Sequence, residues 1–175
     1  MTSDENLMLQ FQGGSRDSFE ELFARYREPL YGFFRRRIHS RERAEDLTQE
    51  TFLAVIRGAF RYEPRALVRT YLYGIALKLL ANERRRRAKQ HELANAEPAS
   101  APGASVDSGI WVRSAVSKLE DTEREIVLLR EYEQLSYSEI SELLHLPVNT
   151  VKSRLFRARM ALKDHLVSST GELCR

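Results

Sequence analysis

The chain has 175 residues, 42% hydrophobic and 30% charged, which provides enough apolar side chains to fold one domain or two small ones. No apolar run approaches the roughly 20 residues of a transmembrane helix, and the acidic residues near the start predict no secretory signal. A single cysteine, Cys174, excludes an internal disulfide and a cysteine metal cluster. The net charge is only +3, so it points to an anionic partner only where the cations are clustered.

The first part of the chain is predicted to be wholly helical, because apolar residues recur three and four positions apart. A short first helix ends at Gly13 and Gly14. Asp17 and Glu20 form a capping-box pattern that predicts the start of a second helix, which Pro29 is expected to kink.

The third helix is predicted from about residue 40 to 58, with two different faces. One face carries Asp46, Gln49, Glu50, Leu53 and Arg57. The other carries Leu47, Thr51, Phe52, Val55 and Ile56. Periodicity alone favours an ordinary solvated surface for the polar face.

The fourth helix, predicted from about 67 to 87, combines a core stripe with aromatic and basic residues. The core stripe consists of Leu72, Ile75, Ala76 and Leu79. The helix ends in a basic run of five cations in six residues, Arg84, Arg85, Arg86, Arg87 and Lys89. Rings that stack on bases and cations that neutralise phosphates are typical of single-stranded nucleic-acid binding. One or two cations suffice for a helix C-terminus, so five indicate phosphate contacts.

Residues 90–109 are rich in Ala, Ser, Pro and Gly, which predicts a flexible linker between two small helical domains. The domains are expected at 1–89 and 110–167, followed by a tail at 168–175. The second domain is predicted to contain helices near 110–119, 122–133, 137–144 and 147–166, with a capping-box pattern at Thr122 and Glu125.

The last two helices match a helix-turn-helix. Ser136 and Glu139 form a capping box, His145 falls in the turn, and Pro147 begins the final helix. A narrow stripe of the final helix is apolar, formed by Val151, Leu155, Ala158 and Leu162. The opposite face carries Asn149, Ser153, Phe156 and Met160, flanked by Lys152 and Arg157.

A solvated basic face is the alternative for a lone helix of this kind. No Asp or Glu occurs from 147 to 163, so a surface helix covered with salt bridges fits poorly. The pattern therefore predicts a helix that presents polar and cationic groups to the DNA major groove.

Two strings resemble a known family. LSYSEISELLHLPVNTVKSRLFRARMAL is similar to region four of bacterial sigma factors, and AEDLTQETFLAVI is similar to region two. The resemblance covers nearly the whole chain and is closest to the small, two-domain extracytoplasmic-function type. It implies an all-α, cytoplasmic bacterial protein that binds RNA polymerase core, including its β′ coiled coil and β subunit, and recognises the minus-ten and minus-thirty-five promoter elements.

The resemblance also implies site residues. The core-polymerase contacts would be Asp46, Leu47, Gln49, Glu50 and Leu53. The minus-ten contacts would be Tyr62, Arg65, Tyr71, Lys78, Asn82, Arg85 and Arg86. The minus-thirty-five contacts would be Asn149, Thr150, Lys152, Ser153, Arg154, Phe156 and Arg157.

The chain departs from the family pattern at four positions. Tyr71, Gly74 and Lys78 replace the usual Trp, Arg and Asn, and His145 replaces a common Gly. Lys78 is expected to change the minus-ten base preference, because the Asn helps hold a flipped base in the family. His145 is expected to tolerate a left-handed conformation at some cost.

Two other function classes fit the sequence less well. A stand-alone helix-turn-helix regulator would bind a palindromic site unaided, whereas a sigma factor acts with core polymerase. An enzyme is disfavoured because the four histidines are scattered and neither a phosphate-binding Gly-rich loop nor HExxH occurs. No catalytic residue, metal or cofactor is predicted. In the family an anti-sigma factor commonly controls the sigma factor, whereas some members use C-terminal extensions or expression level instead. An anti-sigma factor would hold the chain near the inner membrane without insertion.

Overall fold

The computed structural model describes residues 2–38, 40–64, 67–94 and 108–172. Over these ranges the regular structure is helical and contains no strand, which confirms the all-α prediction. The chain divides into two compact units, Met1–Glu97 and Pro98–Arg175. Each unit has its own apolar core.

In its described residues the N-terminal unit contains four α-helices and a short 3-10 helix at Ala59–Arg61. The α-helices are α1 (Asp4–Gln12), α2 (Arg16–Arg35), α3 (Arg41–Gly58) and α4 (Val68–Ala94). Its core is built from α1 to α4 and includes the fully buried Met8, Leu30, Phe33, Leu47 and Leu80.

The start of α2 differs from the sequence prediction. Ser15 is the N-cap, because its side chain accepts a hydrogen bond from the backbone N–H of Ser18 at 3.4 Å. Asp17 lies instead in the first turn, where its carboxylate interacts favourably with the helix dipole. The helix then continues through Pro29 to Arg35.

Helix α4 is longer than predicted. It runs to Ala94 and so includes the first residues of the segment assigned to the linker. Residues 90–94, QHELA, favour a helix, so nothing in them stops the preceding turns. Residues 95–107 lie outside the described ranges, and the flexible linker stays a prediction.

The C-terminal unit contains α5 (Ser108–Ser117), α6 (Asp121–Glu131), α7 (Tyr137–Leu144) and α8 (Val148–Glu172). Its core includes Ile126, Leu129, Leu135, Ile140 and Leu155. The capping box predicted at Thr122 is wrong, since Glu120 is the N-cap of α6 and its side chain makes no capping hydrogen bond. Helix α8 also extends beyond the predicted end near residue 166.

The turn between α7 and α8 follows the predicted pattern. Ser136 and Glu139 form a complete capping box at the start of α7. His145 ends the helix with φ 53° and ψ 42°, a left-handed conformation that is uncommon for a residue with a side chain. The backbone N–H of Leu146 donates to the carbonyl of Ser141 at 3.1 Å, which closes the turn and places α8 against α7.

Candidate nucleic-acid interface

Helix α8 has one buried face and one exposed face. Val151, Leu155 and Ala158 are buried in the core of the C-terminal unit. On the other side Phe156 is 66% exposed, and Asn149, Ser153 and Met160 are exposed as well. The predicted division of the helix is confirmed as far as Ala158, whereas Leu162 of the predicted apolar stripe is only half-buried. The exposed face is available for a partner.

The α8 arginines, however, have acidic partners on a neighbouring helix segment. Arg159 donates to Glu131 at 2.6 Å, Arg157 lies 3.4 Å from Glu123, and Arg154 lies 3.9 Å from Glu120. The prediction that α8 is not a salt-bridged helix is therefore wrong. It considered acidic residues of α8 alone, whereas tertiary packing supplies glutamates from α6 and its N-cap.

These ion pairs leave the charges accessible. The side chains of Arg159 and Glu131 are 53% and 47% exposed, and such pairs contribute little to stability. The hydrogen bond to Glu131 is the largest cause of the raised pKa of Arg159, so the guanidinium stays charged. Phosphates can compete for the exposed guanidinium groups.

The remaining polar groups of α8 are oriented by short-range contacts. Ser153 donates its hydroxyl to the carbonyl of Thr150 at 3.0 Å, which leaves oxygen lone pairs to accept from a partner. Thr150 is half-buried. The ammonium of Lys152 lies 5.9 Å from the ring centre of Tyr137, so a cation and an aromatic ring lie close together at the start of α8.

In the N-terminal unit, α3 presents the predicted polar surface. Asp46 and Gln49 are exposed, Glu50 is half-buried, and Leu53 is 51% exposed. Leu47 is only 1% exposed, so its assignment as a contact residue is corrected: its position in the helical turn directs it into the core. Ile56 is 44% exposed and adds apolar area to the surface instead of the core.

A groove of about 430 Å³ adjoins this surface between α2 and α3. Its lining is mixed, with Phe23 and Phe52 as the aromatic part and Gln49 as the link to the α3 surface. Arg27 and Glu45 provide charges of both signs. A groove of this composition suits an amphipathic protein segment better than a nucleic acid.

Tyr62 before α4 and Tyr71 within it are less exposed than a base-stacking role requires. Tyr62 is 6% exposed, which corrects its assignment as a DNA contact. Its ring centre lies 5.2 Å from that of the half-buried Tyr71, and burial raises the pKa of both phenols. The loop is fixed by Gln12, which donates to the carbonyls of Ala59 and Tyr62 at 2.7 and 2.8 Å.

Most predicted contacts on α4 itself are exposed. Lys78, Asn82, Arg85 and Arg86 lie on the surface, and Arg85 donates to the side-chain oxygen of Asn82 at 2.7 Å. Arg65 lies outside the described residues.

Sequence reasoning missed Glu83, which is buried among the arginines of this segment and only 3% exposed. Its carboxylate accepts hydrogen bonds from Arg43 of α3 and from Arg86 and Arg87 of α4 at 3.0 to 3.2 Å. Burial alone would raise the pKa of Glu83, but these three hydrogen-bonding partners lower it to about 2. A lone acidic residue directly before four arginines was the available sequence signal.

In the described ranges no three His, Cys, Asp or Glu side chains are placed to hold a metal ion. No helix there is both long enough and apolar enough to span a membrane.

Comparison with known proteins decides the family. A model of sigma-70 region 2 matches residues 22–90, and a model of sigma-70 region 4 matches residues 110–162. The chain belongs to the sigma-70 family. The two regions correspond to the two compact units, and the stand-alone regulator is not favoured.

The sigma factor has similar relatives along most of its length. It is 33% identical to "RNA polymerase sigma factor YlaC" of Bacillus subtilis, with 90% of this chain and 96% of the relative covered. It is also 33% identical to "ECF RNA polymerase sigma factor SigM" of Mycobacterium tuberculosis, with 91% and 83% covered. Among solved structures it matches CnrH in complex with the cytosolic domain of CnrY, at a TM-score of 0.74, 27% identity and coverage of 95% and 99%. The protein is thus an extracytoplasmic-function sigma factor, which directs transcription initiation.

Proposed function

We propose that the C-terminal unit of this sigma factor reads the minus-thirty-five element through the exposed face of α8. The observation that carries the proposal is the 66% exposure of Phe156 between Ser153 and Arg157, on a helix whose opposite side is fully packed. A hydroxyl, a guanidinium and an apolar ring are the groups that distinguish base edges and the thymine methyl in the major groove. Asn149, Thr150, Lys152 and Arg154 would flank this centre.

The test is promoter selection by polymerase holoenzyme on a library randomised at the minus-thirty-five element. Ser153→Ala, Phe156→Ala and Arg157→Ala should each change the sequence ranking, with about 1–3 kcal/mol of discrimination lost at the affected base. Lys163→Ala, an exposed change farther along α8, is the matched control and should preserve the ranking. Identical rankings for all four variants would contradict the assigned face.

We propose that α3 binds core polymerase. Asp46, Gln49 and Glu50 offer charge-assisted hydrogen bonds, and the exposed Leu53 adds apolar contact area. Reversing both charges, in Asp46→Lys with Glu50→Lys, should weaken core association without loss of helix content. Asp17→Lys with Glu20→Lys makes the same charge change at exposed sites on α2 and should leave core affinity near the wild-type value. Equal affinities for the two double variants would reject the α3 surface.

For the minus-ten element we propose contacts from the exposed side of α4. Lys78, Asn82, Arg85 and Arg86 lie there, and Tyr71 is half-buried beside them along the helix. Cations on this surface would hold the phosphates of the melted strand. Since Tyr62 is buried, base stacking by this residue forms no part of the proposal.

We infer that an anti-sigma factor regulates the chain in the bacterial cytoplasm and holds it near the inner membrane. The similar CnrH was solved in complex with the cytosolic domain of CnrY, and the groove between α2 and α3 adjoins the proposed core-binding surface. A regulator bound there would compete with core polymerase. Excess core polymerase should therefore release the regulator from its complex with the full chain, and a stable ternary complex would contradict this arrangement.

We also infer that the chain has no catalytic activity of its own and that the polymerase performs the chemistry. The four histidines are scattered along the sequence, and the described surfaces of α3, α4 and α8 offer binding groups on helices. Incubating the purified chain with promoter DNA and divalent metal ions should leave the DNA intact. Metal-dependent cleavage by the chain would refute the inference.

A further inference from the structure

Arg43 on α3 lies between two groups of carboxylates. Its Nη1 atom donates to Glu50 at 2.8 Å and lies 3.6 Å from Asp46. Its Nε atom donates to Glu83 of α4 at 3.0 Å. One guanidinium thus contacts the proposed core-binding surface and the buried carboxylate beneath the basic run of α4.

Glu83 is shared among three arginines. One oxygen accepts from Arg43 and Arg86, and the other accepts from Arg86 and Arg87, all at 3.0 to 3.2 Å. The side chain of Glu83 is 2% exposed, whereas those of Arg86 and Arg87 are 56% and 42% exposed. The carboxylate is fixed, and the two α4 arginines are the partners that are free to turn toward solvent.

Sharing has a definite electrostatic consequence. The positive charge of Arg43 weakens the net attraction of Glu83 for Arg86 and Arg87, because all three cations share one negatively charged carboxylate. A cation of a partner that binds Glu50 and Asp46 must first displace the guanidinium of Arg43 from these carboxylates. Arg43 therefore acts on both surfaces, with opposite effects on their ability to bind.

We propose that Arg43 is a positioning residue that restrains core-polymerase binding at Asp46 and Glu50 while it releases Arg86 and Arg87 for promoter phosphates. The proposal rests on the function assigned above to α3 and α4. When core polymerase binds Glu50 and Asp46, Arg43 interacts with Glu83 alone. Glu83 then attracts Arg86 and Arg87 less strongly, so these two arginines bind promoter phosphates more readily. Core binding would in this way favour promoter binding, and the two effects are linked reciprocally.

The test uses Arg43→Met in the full chain, since Met keeps an unbranched apolar stem, favours helix and carries no charge. Two affinities are measured: the chain for core polymerase, and the saturated holoenzyme for promoter DNA. The first should become about two- to five-fold tighter and the second about two- to five-fold weaker, the range expected for partly exposed ion pairs. A loss that is merely structural would weaken both.

Arg41→Met is the matched control. Arg41 precedes Arg43 by two residues on α3, pairs with Glu45 at 3.0 Å, and has a 78% exposed side chain. Arg41→Met removes the same charge as Arg43→Met, so a general effect of lost positive charge would weaken promoter binding equally in both variants. Arg43→Lys, which keeps the charge without the two-sided contact, should fall between wild type and Arg43→Met.

Affinities that change in the same direction, or not at all, would overturn the proposal. The result is read beside Asp46→Lys with Glu50→Lys and beside Arg85→Ala. If those variants bind core and promoter as wild type does, the surfaces are wrongly assigned and the inference falls with them. If they lose binding while Arg43→Met behaves like Arg41→Met, the surfaces stand and the role of Arg43 alone is refuted.

Discussion

The buried carboxylate of Glu83 predicts a measurable acid dependence of stability in the N-terminal unit. Its pKa is lowered from 4.5 to about 2 by the surrounding arginines. Because the folded value lies below the unfolded one, ionised Glu83 stabilises the fold at pH values above about 4.5, and this contribution is lost as the pH falls toward 2. Glu83→Gln removes the titrating group and keeps the size of the side chain.

The magnitude follows from the two pKa values. At 1.36 kcal/mol per unit, the full shift corresponds to at most about 3 kcal/mol at neutral pH and to less than half of that at pH 3. Glu83→Gln should therefore lower the free energy of unfolding of the N-terminal unit by up to about 3 kcal/mol at pH 7, and the difference from wild type should shrink steadily on acidification.

The assay is urea unfolding of the full chain followed by hydrogen exchange in peptides from α3 and α4, at several pH values between 3 and 7. These peptides report the N-terminal unit separately from the C-terminal one. Glu45→Gln is the control, because the half-exposed side chain of Glu45 pairs with the exposed Arg41 and should contribute less than about 1 kcal/mol. A difference between Glu83→Gln and wild type that stays constant from pH 7 to pH 3 would refute the ionic explanation.

Three further changes test single features of the fold and the site. Ser136→Ala removes half of the capping box of α7 and should destabilise the C-terminal unit by about 1 kcal/mol, measured by thermal unfolding with the single tryptophan, Trp111, as probe; an unchanged midpoint would show that the cap is unimportant. His145→Gly removes the cost of the left-handed conformation and should stabilise the same unit by up to about 1 kcal/mol, so a lower midpoint would contradict strain at this position. Lys78→Asn should shift the minus-ten base preference of the holoenzyme, as read by start-site mapping on a promoter library, while leaving core affinity unchanged; an unaltered preference would remove Lys78 from the minus-ten surface.

The sequence alone determined the helical class and the faces of the last helix. Local signals suffice there, because a 3.6-residue repeat and a capping box act within a few residues of one another. The order of α7, turn and α8 followed from Ser136, Glu139 and Pro147, and the packed stripe through Val151 and Leu155 followed from spacing. The resemblance to sigma factors rested on the same short segments, and the family comparison confirmed it.

Helix ends were harder to predict than helix existence. Asp17 and Thr122 each had a Glu three positions later, but Ser15 and Glu120 are the residues at the helix starts. In both cases the observed start lies two residues before the predicted one, so a capping pattern in the sequence does not by itself fix where the helix begins. The length of α4 has a different cause, since the helix propensity of residues 90–94 already favours continuation beyond Arg87.

Only the tertiary structure decided which side chains are accessible and which charges meet. Leu47 and Tyr62 fit the contact pattern by sequence, but the packing of α1 to α4 buries both. Glu83 meets Arg43 across 40 residues of sequence, and Glu131 of α6 meets Arg159 of α8 across 28 residues. Periodicity describes one helix at a time, whereas burial and ion pairing arise between helices, so the electrostatics of both proposed binding surfaces follow from the fold.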